Sequence, residues 1–279
     1  MIKKHKMKKK VYFLIFSLFV LFSCENKKPA FRFSNFYNTK AEKISKSIEQ
    51  NDTISIIKEI KAKRVNINFK DKKYEISLLT LAMMNNKKES FNKLLELGAN
   101  PNSNNSYCVG PLNTAIRYNI NCDIYFIKKL LNYGADISPK FFKKCNSHYA
   151  YDPIVETIMY HYEEDKIECQ FKILKLLSSK LNNPNLLFKY NDSINYRQNI
   201  VYRCLSTHKN IPALKYLIIN LKLKIPEKIF IDGTVFPNFH GYMSLKEILQ
   251  NKAFVFEHSE YREKAKQEIL AYLDKQGIK

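Results

Sequence analysis

The amino-acid sequence predicts an all-α fold, a solenoid of stacked helix pairs with short β-hairpin fingers and a C-terminal capping helix. Three observations predict it. Apolar residues make up 45 % of the 279-residue chain, enough for a continuous core rather than a disordered chain. Glycine occurs only six times, with neither GxGxxG nor GxxxxGK[ST] present. Folds that bring backbone close to phosphate depend on glycine, so nucleotide chemistry is disfavoured. Finally, the chain repeats itself in its middle third.

The N-terminus comes first. Lys3, Lys4, Lys6, Lys8, Lys9 and Lys10 form a basic head, an apolar run follows from Val11 to Phe22, and Ser23-Cys24 closes it. The run is too short to cross a bilayer comfortably but suits the core of a secretory signal. Leu21-Phe22-Ser23-Cys24 resembles the lipobox of bacterial lipoproteins, in which the chain is cut before a cysteine that then carries lipid. Residues 1–23 are therefore expected to be a signal peptide, Cys24 a lipidation site and residues 24–40 a polar tether. The resemblance implies a cell-envelope protein anchored to a membrane, at the outer membrane or the periplasmic face. Removing residues 1–23 takes away six lysines and leaves 15 of the 21 net positive charges, spread along the body.

From residue 41 to 279 the pattern is helical. Ser77-Leu78-Leu79-Thr80-Leu81-Ala82 precedes a helix ending Leu94-Leu95-Glu96-Leu97-Gly98-Ala99-Asn100-Pro101-Asn102. Gly110-Pro111-Leu112-Asn113-Thr114-Ala115 precedes one ending Leu130-Leu131-Asn132-Tyr133-Gly134-Ala135-Asp136-Ile137. Leu79 and Leu112 lie 33 residues apart, as do Ala82 and Ala115. Small residues there let paired helices approach, the leucine pairs offer an apolar stripe, and Gly98 and Gly134 suit a left-handed helix end. The period and the T-P-L-H-x-A and L-L-x-x-G-A-D-x-N patterns resemble the ankyrin repeat, most clearly over residues 77–138. Degenerate copies flank these. Upstream, Ile54, Ile57 and Ile60 form a stripe. Downstream, helices are expected from Asp152–Thr157, from Asn199–Cys204 with Pro212 in a following first turn, and from Met243–Ile248. Glu257–Gln276, with Ile269, Leu270 and Leu273 on one face, reads as the cap a solenoid needs. The histidine of T-P-L-H is replaced by Thr80, Asn113, Val155, Tyr202 and Lys246, so its usual hydrogen bond is lost or replaced.

No catalytic constellation emerges. His161-Tyr162-Glu163-Glu164-Asp165 reads as a solvated acidic loop, Cys145 and His148 lack a second ligand pair, and GxSxG and HExxH are absent. No cofactor or metal is expected, and no arginine-rich helix suggests nucleic acid. The five remaining cysteines form no CxxC, and an exported protein could pair some of them without the sequence assigning which. Cys204 sits where a small buried residue is wanted. A tyrosine lies three residues before each repeat-type start: Tyr74, Tyr107, Tyr149 and Tyr196. The ankyrin resemblance places these at finger tips, and puts Tyr118 and Tyr160, beside Met84 and Arg117, on a concave face. Tyrosine anchors interfaces with a rigid ring and a hydroxyl. The expectation is a monomeric, non-enzymatic binder of a protein ligand through fingers and concave face. The rival is a structural envelope protein making basic contacts with anionic lipid or polysaccharide, and a hydrolase hidden in the C-terminal half stands behind both.

Overall fold

The computed structural model describes residues 29–119, 122–137, 153–160, 166–181, 200–206, 210–237, 239–252 and 259–278. Over these residues the protein is mostly helical, with a small two-stranded antiparallel sheet. Two 3-10 turns, Pro29–Phe31 and Phe33–Phe36, lead into α1 (Glu42–Glu49) and α2 (Thr53–Lys61). There follow α3 (Leu78–Met84) and α4 (Lys88–Glu96), then α5 (Pro111–Arg117) and α6 (Tyr125–Asn132). Next come α7 (Pro153–Tyr160) and α8 (Ile167–Ser178), then α9 (Ile200–Ser206) and α10 (Ile211–Lys215), which runs on into a π-helical turn, Tyr216–Asn220. Strands β1 (Ile229–Ile231) and β2 (Gly241–Met243) precede α11 (Leu245–Gln250) and α12 (Glu260–Lys275).

Consecutive helices pair, α1 with α2, α3 with α4, α5 with α6, α7 with α8 and α9 with α10. The first members pack in a row: α1 on α3, α3 on α5, α5 on α7, α7 on α9. Ala82 is fully buried and Ala115 nearly so, which is what close approach of these helices requires. Second helices join through α2 on α4 and through the edge-to-face rings of Phe91 (α4) and Phe126 (α6), 4.9 Å apart. At the far end α12 covers α10 and α11 with Ile269 and Leu273, while Leu270 is half-buried.

The turns repeat a hydrogen-bond recipe. Asn51 and Asn86 take positive φ between the members of the first two pairs. At the ends of α2, α4 and α6 the left-handed residue is Lys63, Gly98 or Gly134. The next N–H then reaches five residues back: Arg64 to Glu59 (3.3 Å), Ala99 to Leu94 (2.9 Å) and Ala135 to Leu130 (2.9 Å). These are Schellman ends, and at φ of 93° and 83° Gly98 and Gly134 avoid the strain a Cβ would bring. Beyond them the loops are laced together. Asn68 Oδ1 accepts Asn100 N–H (2.8 Å), and Asn102 Oδ1 accepts Asp136 N–H (2.7 Å) while its Nδ2 donates to Gly134 O (2.9 Å).

Four expectations need correction. The tether does not extend to residue 40: from Pro29 the chain packs on the body, because Phe31, Phe33 and Phe36 are buried against the first helices. Ile54 is exposed; the Asp52 cap, accepting Ser55 N–H at 3.0 Å, sets the phase of α2 so that Ile56 faces inward instead. The finger at residues 70–77 is no hairpin ladder but a single bridge, Lys70 to Ser77, since Asp71 takes up the N–H groups a ladder would use. The sheet lies instead at β1–β2, with Ile229 opposite Met243, Phe230 opposite Tyr242 and Ile231 opposite Gly241. Other expectations match the structure. Pro212 sits in the first turn of α10, Cys204 is buried with its thiol pKa pushed up by burial, and a C-terminal helix runs over Glu260–Lys275. Cys122 and Cys169 form a disulfide, and Cys108 is disulfide-bonded to a partner outside the described residues. No described helix is long and apolar enough to cross a membrane. The predicted signal, Cys24, the acidic loop at 161–165, Cys145 and His148 lie outside the described residues.

Candidate functional site

Two loops built on one plan frame a groove. In the first, the carboxylate of Asp71, itself buried, accepts the N–H groups of Lys73 (3.0 Å), Tyr74 (2.7 Å) and Ile76 (2.8 Å). In the second, Asn105 Oδ1 accepts those of Tyr107 (3.1 Å) and Val109 (2.9 Å). Glu75 and Cys108, one residue past each tyrosine, both take positive φ. A short side chain that binds its own backbone makes a tight turn and turns the next residues outward. Tyr74 and Tyr107 thereby occupy equivalent places, the first half-buried and the second 59 % exposed.

The loops are also tied to each other. The Glu75 carboxylate accepts Ser106 N–H, and the Lys70 ammonium donates to Asn104 O. The Ser106 backbone bond holds the Glu75 carboxyl below the usual carboxylate range, so it is ionised at neutral pH.

Behind the loops, α3 and α5 supply Thr80, Thr114, Arg117 and Tyr118 as the groove's floor. Thr114 Oγ1 donates to Gly110 O at 2.8 Å, which spends its proton inside the helix. Arg117 Nε donates to Glu156 Oε1 at 2.6 Å, and the guanidinium lies 4.8 Å from the centre of the Tyr160 ring. Glu156, from α7, is fully buried, and its other oxygen accepts Asn113 Nδ2 at 3.4 Å. Burial alone would lower the Arg117 pKa, but the bond to Glu156 and its charge outweigh that and raise it. Arg117 is thus a fixed cation at the groove wall.

The remaining wall is the N-terminal turn. Phe31 sets its ring edge-to-face on Tyr118 with centroids 5.4 Å apart, and its carbonyl accepts Asn85 Nδ2 at 2.9 Å. The groove so enclosed has a volume of about 740 Å³. It presents phenol rings, hydroxyls and ammonium donors.

Of the residues singled out by sequence, Tyr74, Tyr107, Arg117 and Tyr118 converge on this groove, and Tyr160 stacks on Arg117 at its edge. Met84 does not line it. It is half-buried against the core, as an unbranched apolar side chain at the end of α3 would be. Tyr149 and Tyr196 lie outside the described residues. Sequence reasoning missed Phe31, Glu156 and the lysines Lys72 and Lys73 on the rim. The aromatic spacing of Phe31, Phe33 and Phe36 was a visible sign that the segment packs. So was a lone glutamate inside the apolar Pro153-Ile154-Val155-Glu156, which must find a cation if buried. Among the described residues no cluster of His, Cys, Asp and Glu could hold a metal ion. No protein-family model, curated protein or solved structure matches this chain.

Proposed function

We propose that this protein is an envelope lipoprotein whose ankyrin-like stack of helix pairs binds a segment of another protein in the groove between its loops. The observation that carries the reading is the convergence of Tyr74, Tyr107, Arg117 and Tyr118 on one recess. Aromatic rings beside arginine are the residue types that dominate binding energy at protein interfaces. The stack itself is supported by the row of first helices, the Schellman ends and the asparagine lacing, which return at repeat-like spacing. Export is supported by the lipobox-like Leu21–Cys24 and by cysteine pairing, which persists in oxidising compartments. With packing beginning at Pro29, only residues 24–28 separate an anchor at Cys24 from the body, a reach of about 17 Å when extended. The body then rides close against its membrane.

Two experiments test this. Cross-linking on cells followed by mass identification yields a partner, whose affinity is then measured against variants. Tyr107→Ala should weaken it by about 2 kcal/mol while leaving the circular dichroism spectrum unchanged, because the ring is mostly outside the core. Unaltered affinity places the interface elsewhere. Cys24→Ser should move the protein out of the membrane fraction or arrest its maturation, since lipid on that cysteine is the anchor. A variant that stays membrane-bound with residues 1–23 intact argues for an uncleaved anchor.

A further inference from the structure

The groove pairs its own acids and leaves its rim lysines on display. Glu75 is engaged by Ser106 N–H, and Glu156 is sealed beneath Arg117. Glu156 is charge-matched by Arg117, and the nearby Lys70 ammonium offsets the ionised Glu75. Lys72 and Lys73 stand exposed on the rim and form no salt bridge among the described residues. The Lys73 ammonium lies 5.0 Å from the centre of the Tyr74 ring, so an aromatic face and a cation are offered side by side. Arg117 beside them is already matched by Glu156, so the rim lysines carry the attraction.

Resting on the reading of the groove as the partner site, we propose that its occupant is a short acidic segment of a partner protein, a loop or chain end. Size favours a short segment. At about 740 Å³ the groove falls in the range of roughly 300–1,000 Å³ typical of small-ligand pockets. A few residues fit it, and a helix face or a folded domain does not. Charge favours acidity. A carboxylate between the loops meets Lys72 and Lys73 while its neighbours lie on the Tyr74 and Tyr107 rings, and a charge-assisted hydrogen bond beside desolvating rings is stronger than one in open water. The excess of 15 positive charges on the body would also draw an acidic segment in before contact.

The test uses the full chain without its signal and two short fluorescent peptides, one alternating glutamate with tyrosine and one with glutamine in place of each glutamate. Fluorescence anisotropy at low and at raised salt gives both affinities. The glutamate peptide should bind about tenfold tighter, the effect of one good charge pair, and the margin should shrink with salt. Lys72→Glu/Lys73→Glu should abolish the margin, and Lys72→Arg/Lys73→Arg should retain it. Both sites are exposed, so the fold survives each change, which thermal melting checks. Equal binding of the two peptides, or a margin that survives charge reversal, overturns the proposal. So does capture of the protein by phosphatidylglycerol vesicles through these lysines when the peptide does not bind. If Tyr107→Ala weakens the identified partner while charge reversal does not, acidity fails and the partner site stands. If neither change affects that partner, both readings fail.

Discussion

Residues 29–137 and 153–278 pair their helices alike but secure the pairs by different means. In the first region the work is done by backbone and by short side chains bound to nearby backbone: Schellman ends after α2, α4 and α6, and asparagines that lace one loop to the next. In the second, a Schellman end closes α12, with Gly277 at positive φ and Ile278 N–H reaching Leu273 O at 3.0 Å, but within and between its pairs buried side chains distant in sequence meet one at a time. Tyr202 OH donates to Asp232 Oδ1 at 2.7 Å, and Gln170 Nε2 donates to Asn210 Oδ1 at 3.2 Å. A local recipe can be reused at every turn because each copy is satisfied by its neighbour. A distant pair must be matched individually, and losing one member leaves the other buried and unpaired. The first region should therefore degrade gradually when altered, and the second abruptly.

Of the ties that cross between the regions, the Arg117–Glu156 pair and the Cys122–Cys169 disulfide are the ones whose cutting tests the contrast most strongly. Glu156→Ala leaves Arg117 without its counter-ion at a site where the side chain is only 17 % exposed. The cost should be about 3 kcal/mol, at the lower end for buried pairs because Arg117 can partly rehydrate. Urea unfolding followed by circular dichroism measures it, and a loss below about 1 kcal/mol would mean that the pair is no tie. Next is the Cys122–Cys169 disulfide, which closes a span of 47 residues. Replacing both cysteines with serine should cost about 2–4 kcal/mol through the freed unfolded chain. It should also split the calorimetric transition in two if the regions are cooperative units in their own right. A single sharp transition in the variant would show that packing of α5 on α7 couples them without the bridge. The smallest effect belongs inside the first region. Asn102→Ala removes the acceptor for Asp136 N–H and the donor to Gly134 O, and should cost about 1–2 kcal/mol. Hydrogen exchange should quicken near residues 100–137 and stay unchanged near α9–α12. Exchange that rises equally everywhere would erase the distinction between the regions.

The same contrast explains what could be read beforehand. Gly98 and Gly134 are legible because a left-handed helix end selects glycine locally, and Pro212 because a first turn tolerates it. The tyrosines at 74 and 107 are legible because their register follows from neighbours a few residues away. Thr80 finds a local partner in Ser77 Oγ at 3.0 Å, while Asn113 reaches across 43 residues to Glu156 and Tyr202 across 30 to Asp232. The sequence shows which residues stand at these positions, but not which bonds they make. Ile54 was misjudged because a row of isoleucines hides the helix phase until its cap is known, and Asp52 is that cap. The packing of Phe31 is masked in the sequence by the polar stretch before it, Glu25 to Lys28, which reads as tether up to the aromatics behind. The Cys122–Cys169 link has no local signal, and a lone Glu156 among apolar residues signals a buried charge but not its partner, since each depends on which helices become neighbours.

The way its N-terminal segment packs makes the molecule mechanically asymmetric. The chain reaches the body through Phe31, whose ring braces Tyr118 and whose carbonyl is held by Asn85. Any pull transmitted from the N-terminal side arrives first at these two contacts, both on or beside the groove wall, before it reaches α1. Were the protein tethered through that side as proposed, recess and tether would share a hinge: tension would peel Phe31 from Tyr118 and widen the recess, and a ligand wedged against Phe31 would resist it.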